Sequence, residues 1–252
     1  MLTLTENVLI LIGVMTLSML FMLAMNHIWP MQERYAREDL IGWQLNILGS
    51  VYAVILGFML FNVWSTFSTT ELNVGLEANA LRNVYRLAAA LPEDQRMRLQ
   101  AEARAYAAAV IDDDWPQMER GNVPEKSHWI DQSMWATLMA VTSTSPAENR
   151  AADHALSELS TLSQLRRQRL VQSLSRLPGI FWCVLLVGGI LTIISVDLFG
   201  SRYLWLHGFQ VLSLTLLITL AMLAISDLKQ PFRGWVHVNN YAFVRAQENM
   251  TD

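Results

Sequence analysis

The side chains of this chain that could do chemistry are few, and their spacing limits what each could do. Asp112, Asp113 and Asp114 form its one acidic run. A divalent cation needs carboxylates converging from separate turns, whereas three in succession splay around a helix or loop, so no metal is expected there. Among His27, His128, His154, His207 and His237 no two fall within one helical turn, which leaves no zinc-ligand pair. His27 and His207 sit at the ends of apolar runs and read as solvated boundary residues. Cys183 is the single cysteine. It lies in an apolar block, where a thiol behaves as a small hydrophobe, and it has no disulfide partner within the chain. Glu77 is placed to form a structural ion pair with Arg166 or Arg169. The sequence contains no GxSxG, HExxH, Walker loop, CxxC or dinucleotide fingerprint. The expectation is therefore a protein that is not an enzyme, with no catalytic residue and no cofactor.

Regularly spaced polar residues do occur, in residues 43–67. Asn46, Ser50, Ala53, Gly57 and Phe61 recur at steps of three or four, with Asn62 beside them, and so share one helical face. The stretch carries no charge and is long enough to cross a bilayer as a tilted helix. Lipid gives no reason to align Asn, Ser and Gly. A neighbouring helix would use that face for close approach, and a water-filled path would use it for wetting. Packing and pore lining both remain open.

The elements that must position this face follow from composition. Of 252 residues, 53% are apolar and only 16% charged, gathered in blocks. That is too apolar and too uneven for one soluble domain. The net charge of −4 is mild, and no basic stripe points to nucleic acid. Residues 8–25, 43–67, 181–199 and 203–225 read as four membrane helices. The first is no cleaved leader: Glu6 precedes it without any Lys or Arg, and no small-residue cleavage site follows. The plan is 1–68 for the first two transmembrane helices, 69–178 for a cytoplasmic helical region, 179–226 for the third and fourth transmembrane helices and 227–252 for a cytoplasmic tail. Trp29, Trp43, Trp64, Trp182 and Trp205 fall at the proposed helix ends, where an indole prefers the headgroup layer. Arg34, Arg37 and Arg202 lie on one side. Arg82, Arg166, Arg167, Arg169, Arg176, Lys229 and Arg233 lie on the other, which the positive-inside rule makes the cytoplasm, with both termini.

Within the polar region the second helix runs on to about residue 90, its apolar stripe made by Val74, Ala78, Leu81, Tyr85 and Ala88. Pro92 opens a helix that Trp115-Pro116 should stop. Helices over about 128–141 and 146–176 follow. A tight turn at Asp197, Gly200, Ser201 and Arg202 joins the last two apolar runs.

This layout resembles that of the bestrophin channels. Ile55 to Trp64, ILGFMLFNVW, is similar to the VLGF hallmark of the bestrophin pore helix. Glu77, Ala78, Leu81, Tyr85 and Arg86, then Tyr106, Trp115, Arg166 and Arg169, then Asp227, Pro231, Phe232 and Gly234, resemble a bacterial membrane family described as bestrophin-like, of uncharacterised function. The match runs from about Leu45 to Gly234. It implies an all-α integral membrane fold with four transmembrane helices and a large cytoplasmic insert between the second and third. It also implies a homo-oligomeric ion channel, a pentamer by family analogy, in the bacterial inner membrane, with inorganic ions, the lipid bilayer and its own copies as partners. The second helix would line the pore, with Ser50, Val54 and Phe58 as three stacked rings of a neck. Two departures matter. Ser50 makes one ring wetter, and residues 229–235 lack the acidic cluster of a calcium clasp. The rival reading is a membrane-anchored scaffold or sensor that binds a partner through its cytoplasmic helices and conducts nothing.

Overall fold

The computed structural model describes residues 4–29, 33–34, 37–175, 177–199 and 203–250, the side chain of Glu38 apart. Arg176, Gly200, Ser201 and Arg202, which enter the charge sorting and the tight turn, lie outside them. The described residues are all helical or irregular: α1 Leu4–Ile28, α2 Glu38–Ala88, α3 Glu93–Ala109, α4 Trp115–Arg120, α5 Lys126–Met139, α6 Pro146–Leu174, α7 Gly179–Leu198, α8 Leu204–Leu228 and α9 Tyr241–Glu248. α1, α2, α7 and α8 are long and apolar enough to cross a membrane. At 51 residues, α2 is more than twice the length a bilayer needs. The chain divides into two compact units, Met1–Ser65 with Arg176–Lys229, and Thr66–Ser175 with Gln230–Asp252.

In the first unit α1, α7, α8 and the start of α2 pack through few side chains. Met22, Val196 and Val211 form a small buried cluster, flanked by Met19, Leu45 and Leu214. In a bilayer, lipid would supply no hydrophobic drive between such helices, and close approach and polar ties would have to hold them. Ser18 and Thr215 hydroxyls lie 3.0 Å apart across α1 and α8. Tyr52 donates to the Leu185 carbonyl at 3.1 Å, from α2 to α7. Its ring lies where a side chain at Gly188 or Gly189 would stand: a Cβ on Gly188 would sit 2.5 Å from it.

One end of this unit differs from the sequence expectation. Asp197 is not in a turn but is the penultimate residue of α7, and it is buried. His207, expected to be solvated, is buried in the first turn of α8, while His27 is exposed. The reason is Arg34, itself buried, which donates to the Asp197 carbonyl at 3.0 Å and to the Asn26 side chain. Arg34 is thus engaged with α7 and α1 instead of standing as a free loop cation.

The second unit has a conventional core. Leu81, Val84 and Ala88 of α2 are buried with Leu99 and Tyr106 of α3, Met134 and Leu138 of α5, and Leu159 and Leu162 of α6. Pro116 does not stop the chain. Val110–Asp114 widens into a π-turn, closed by the Trp115 N–H on the Val110 carbonyl, and Pro116 then sits in the first turn of α4, where its missing N–H is harmless. α4 ends at Gly121 with φ 85°, a left-handed cap. A side chain there would run into the Arg233 guanidinium, whose Nε donates to the Met118 carbonyl at 3.0 Å. The segment after α8 is part of this core: Phe232 and Phe243 pack edge-on against Trp115, at 5.4 and 6.1 Å between ring centroids.

Candidate functional site

The candidate site is the face of α2 that its own chain leaves uncovered. Tyr52, Met59, Val63 and Phe67 form a buried stripe along the helix. At about 100° per residue, Ser50, Val54, Phe58 and Phe61 fall within about 45° of the line opposite that stripe. All four are exposed, Phe58 at 70% and Phe61 at 69%. Asn46, Ala53 and Gly57 flank them on one side and Asn62 on the other, and these too are exposed. Ser50 donates its hydroxyl to the Asn46 carbonyl at 2.7 Å, one turn back on the same helix. Nothing lies within 4 Å of where a Cβ on Gly57 would stand. Among the described residues, no neighbouring helix therefore approaches this face closely at Gly57.

The continuation of α2 is held in the opposite manner. Glu77 is fully buried and accepts from Arg169 Nε at 2.8 Å, from Arg169 Nη2 at 3.1 Å and from the Tyr106 hydroxyl at 2.7 Å. Arg169 Nη2 also donates to Asp114 at 2.9 Å, and its guanidinium lies over Trp115 and Phe243, 5.8 and 5.9 Å from their centroids. Asp114 accepts from Ser127 at 2.6 Å, and the Ser127 oxygen accepts from Arg166 Nε at 2.8 Å. Arg166 thus reaches the network through Asp114's hydroxyl partner, and Arg169 is the residue that meets Glu77. Burial works against the charge of Arg169, but Glu77 and Asp114 beside it prevail and raise its pKa above the ordinary value. Burial, and then the Glu77 carboxylate, raise that of Tyr106. The acidic run splays: Asp112 is exposed, Asp113 accepts from Gln117 at 2.9 Å and only Asp114 enters the network. The network joins α2, α3, α4, α5 and α6 in one closed set of charges. Spacing pointed to Glu77 and the arginines and the family resemblance to Tyr106, but nothing marked Asp114 or Ser127 as partners, whose roles exist only once the π-turn and α5 are in place.

Comparison with known proteins fits this geometry. Residues 12–243 match a family model described as the Bestrophin-like domain. A crystal structure of a bacterial bestrophin homologue from Klebsiella pneumoniae, solved with zinc phasing, is similar at 15% identity with a TM-score of 0.72, covering 96% of this chain and 97% of that one. A point variant of the same homologue gives 0.74 at 15% identity over 96% and 99%. A structure described only as a membrane protein gives 0.76 at 15% identity over 96% and 97%. No curated protein sequence matches. The fold is that of the bestrophin homologues, and the chain belongs to the bestrophin-like family.

Proposed function

We propose that this bestrophin-like chain is one protomer of a homo-oligomeric ion channel, its pore lined by α2. By analogy with bestrophin channels the oligomer is a pentamer in the bacterial inner membrane, with the second unit and both termini on the cytoplasmic side. One observation carries the reading: α2 turns a mixed face, Asn46, Ser50, Val54, Gly57, Phe58 and Phe61, away from its own core. Apolar side chains facing lipid cost nothing, but an amide there is expensive. A face that alternates the two suits a wetted path with an apolar constriction, copies of α2 standing around an axis. Val54 and Phe58 then form the constriction, which gates by dewetting, and Ser50 the wetter ring one turn away. Asn46, Ala53 and Gly57 line the path or pack a neighbouring copy of α2. The buried network at Glu77 and Arg169 fixes the cytoplasmic continuation of the same helix, and its role is structural.

Recording purified protein in planar bilayers, wild type beside Phe58→Ala, tests this. Discrete currents are expected, with conductance or open probability raised in the variant. Phe58 is exposed, so protomer stability should change by no more than about 0.5 kcal/mol. Silence from a well-folded oligomer across salt and pH overturns the channel and leaves the scaffold.

A further inference from the structure

The first unit holds a groove that the pore reading does not use. It lies between α1, α7 and α8, encloses about 730 Å³, and is walled by Leu17, Leu186, Ile190, Ile194 and Met222 among other apolar side chains. That volume is within the range that holds a drug-sized apolar ligand. Its two ends differ in what they can offer a headgroup. At one, Trp182 and Ser226 line it. Lys229, three residues beyond Ser226, places its ammonium 4.5 Å from the Trp182 ring centroid. Among the described residues no carboxylate forms an ion pair with this lysine. At the other end Asp197 lines the groove and is fully buried. Fifteen residues of α7 separate Trp182 from Asp197, about 22 Å of helix.

We propose that this groove takes up an acyl chain of an anionic phospholipid, with the lipid phosphate on the Lys229 ammonium. The chain runs past Ile190 toward Asp197. The polarity of the groove fixes this orientation: Lys229 is only partly buried and can receive a headgroup. Asp197 has no exposed surface to offer one. A lysine stacked on an indole at a helix end is also the arrangement that holds a cation at the headgroup layer, where basic pockets between membrane helices bind anionic lipid. The inference rests on the four helices crossing a membrane and not on conduction.

Native mass spectrometry of the detergent-purified full chain, with phosphatidylglycerol or phosphatidylcholine added, tests it. One cation near a lipid surface gives about a fivefold preference, so phosphatidylglycerol should be retained about fivefold more tightly. Lys229→Gln should abolish that preference without lowering the lipid-free unfolding midpoint. Ile190→Trp, which fills the groove, should abolish retention of both lipids. Equal retention of the two lipids by the wild type, or undiminished retention by Ile190→Trp, would overturn the proposal. So would phosphatidylglycerol bound by the protomer but excluded from its oligomer, which would assign the groove to a second copy of the chain. Electrically silent protein would still give this readout, so failure of the channel reading and failure of the lipid site are separable.

Discussion

α2 is one helix under two regimes. Before Ser65 it buries a single narrow stripe, Tyr52, Met59 and Val63, and exposes Val51, Val54, Phe58 and Phe61. After it, Phe67, Thr70, Val74, Glu77, Ala78, Leu81, Val84 and Ala88 are all buried, and a charged network closes around Glu77. The difference teaches what each solvent asks. In water a helix must cover its apolar side with its own chain, and any charge buried on the way must be paired. If the first part lies in lipid, as proposed, its exposed Val and Phe need no cover, and the telling residues are the small and polar ones, Asn46, Ser50 and Gly57.

The strongest way to break the contrast is Arg169→Ala. It would leave Glu77 and Asp114 buried without their cation, and removing one partner of a buried pair costs about 3–5 kcal/mol. The unfolding midpoint in detergent should fall steeply or the protein fail to accumulate, and Arg169→Lys, which loses the bidentate fork, should recover only part of the loss. Glu77→Gln in the Arg169→Met background should cost less than the two single losses added together, because one buried carboxylate, Asp114, is then left without its cation instead of two. If Arg169→Ala were as mild as an ordinary surface change, the second regime would not depend on its network.

The first regime is sharpened by a smaller lesion. Gly188→Val would drive side-chain atoms into the Tyr52 ring, and overpacking of this kind costs about 1–3 kcal/mol. Tyr52→Ala in the same protein should return part of the lost midpoint, because the two residues share one space. Additive losses from the pair would mean that Tyr52 and Gly188 are not what holds α2 to α7.

How much of this was legible depended on range. The four apolar helices and the unbroken run of α2 past residue 68 follow from composition and periodicity, because a helix face is a local pattern. The pairing of Glu77 was legible only as a choice between Arg166 and Arg169, since one turn separates them on α6 and the α2–α6 register decides. Tyr106 was marked only by the family resemblance, and Asp114 and Ser127 gave no signal of pairing, because the π-turn that ends at Asp114 is announced by no residue pattern. Pro116 read as a stop for the same reason. Asp197 and His207 read as boundary residues because a sequence shows hydrophobic runs but not a loop arginine folded back onto them.

The smallest effect tests whether the second unit is electrostatically closed throughout. Asp131 of α5 is buried and accepts from the Ser163 hydroxyl at 2.7 Å. Burial raises its pKa above the ordinary 3.8, and the Ser163 hydrogen bond and the charges of Arg166, His128 and Arg167 only partly oppose this. A carboxyl whose pKa is raised on folding contributes fully below its ordinary value and loses that contribution as pH climbs through the raised one. At neutral pH the ionised Asp131 is therefore a cost that the native state carries. Asp131→Asn keeps an acceptor for Ser163 and removes the charge, so at pH 7 its unfolding midpoint should lie above wild type, by on the order of 1–2 °C. On acidification through the raised pKa toward 3.8 the advantage should shrink to nothing. A difference that stays constant with pH would mean that shape rather than charge separates the two side chains. A variant less stable than wild type at pH 7 would mean that Asp131 is held by Arg166 as firmly as Glu77 is held by Arg169, and the charged network would then reach to α5's far side.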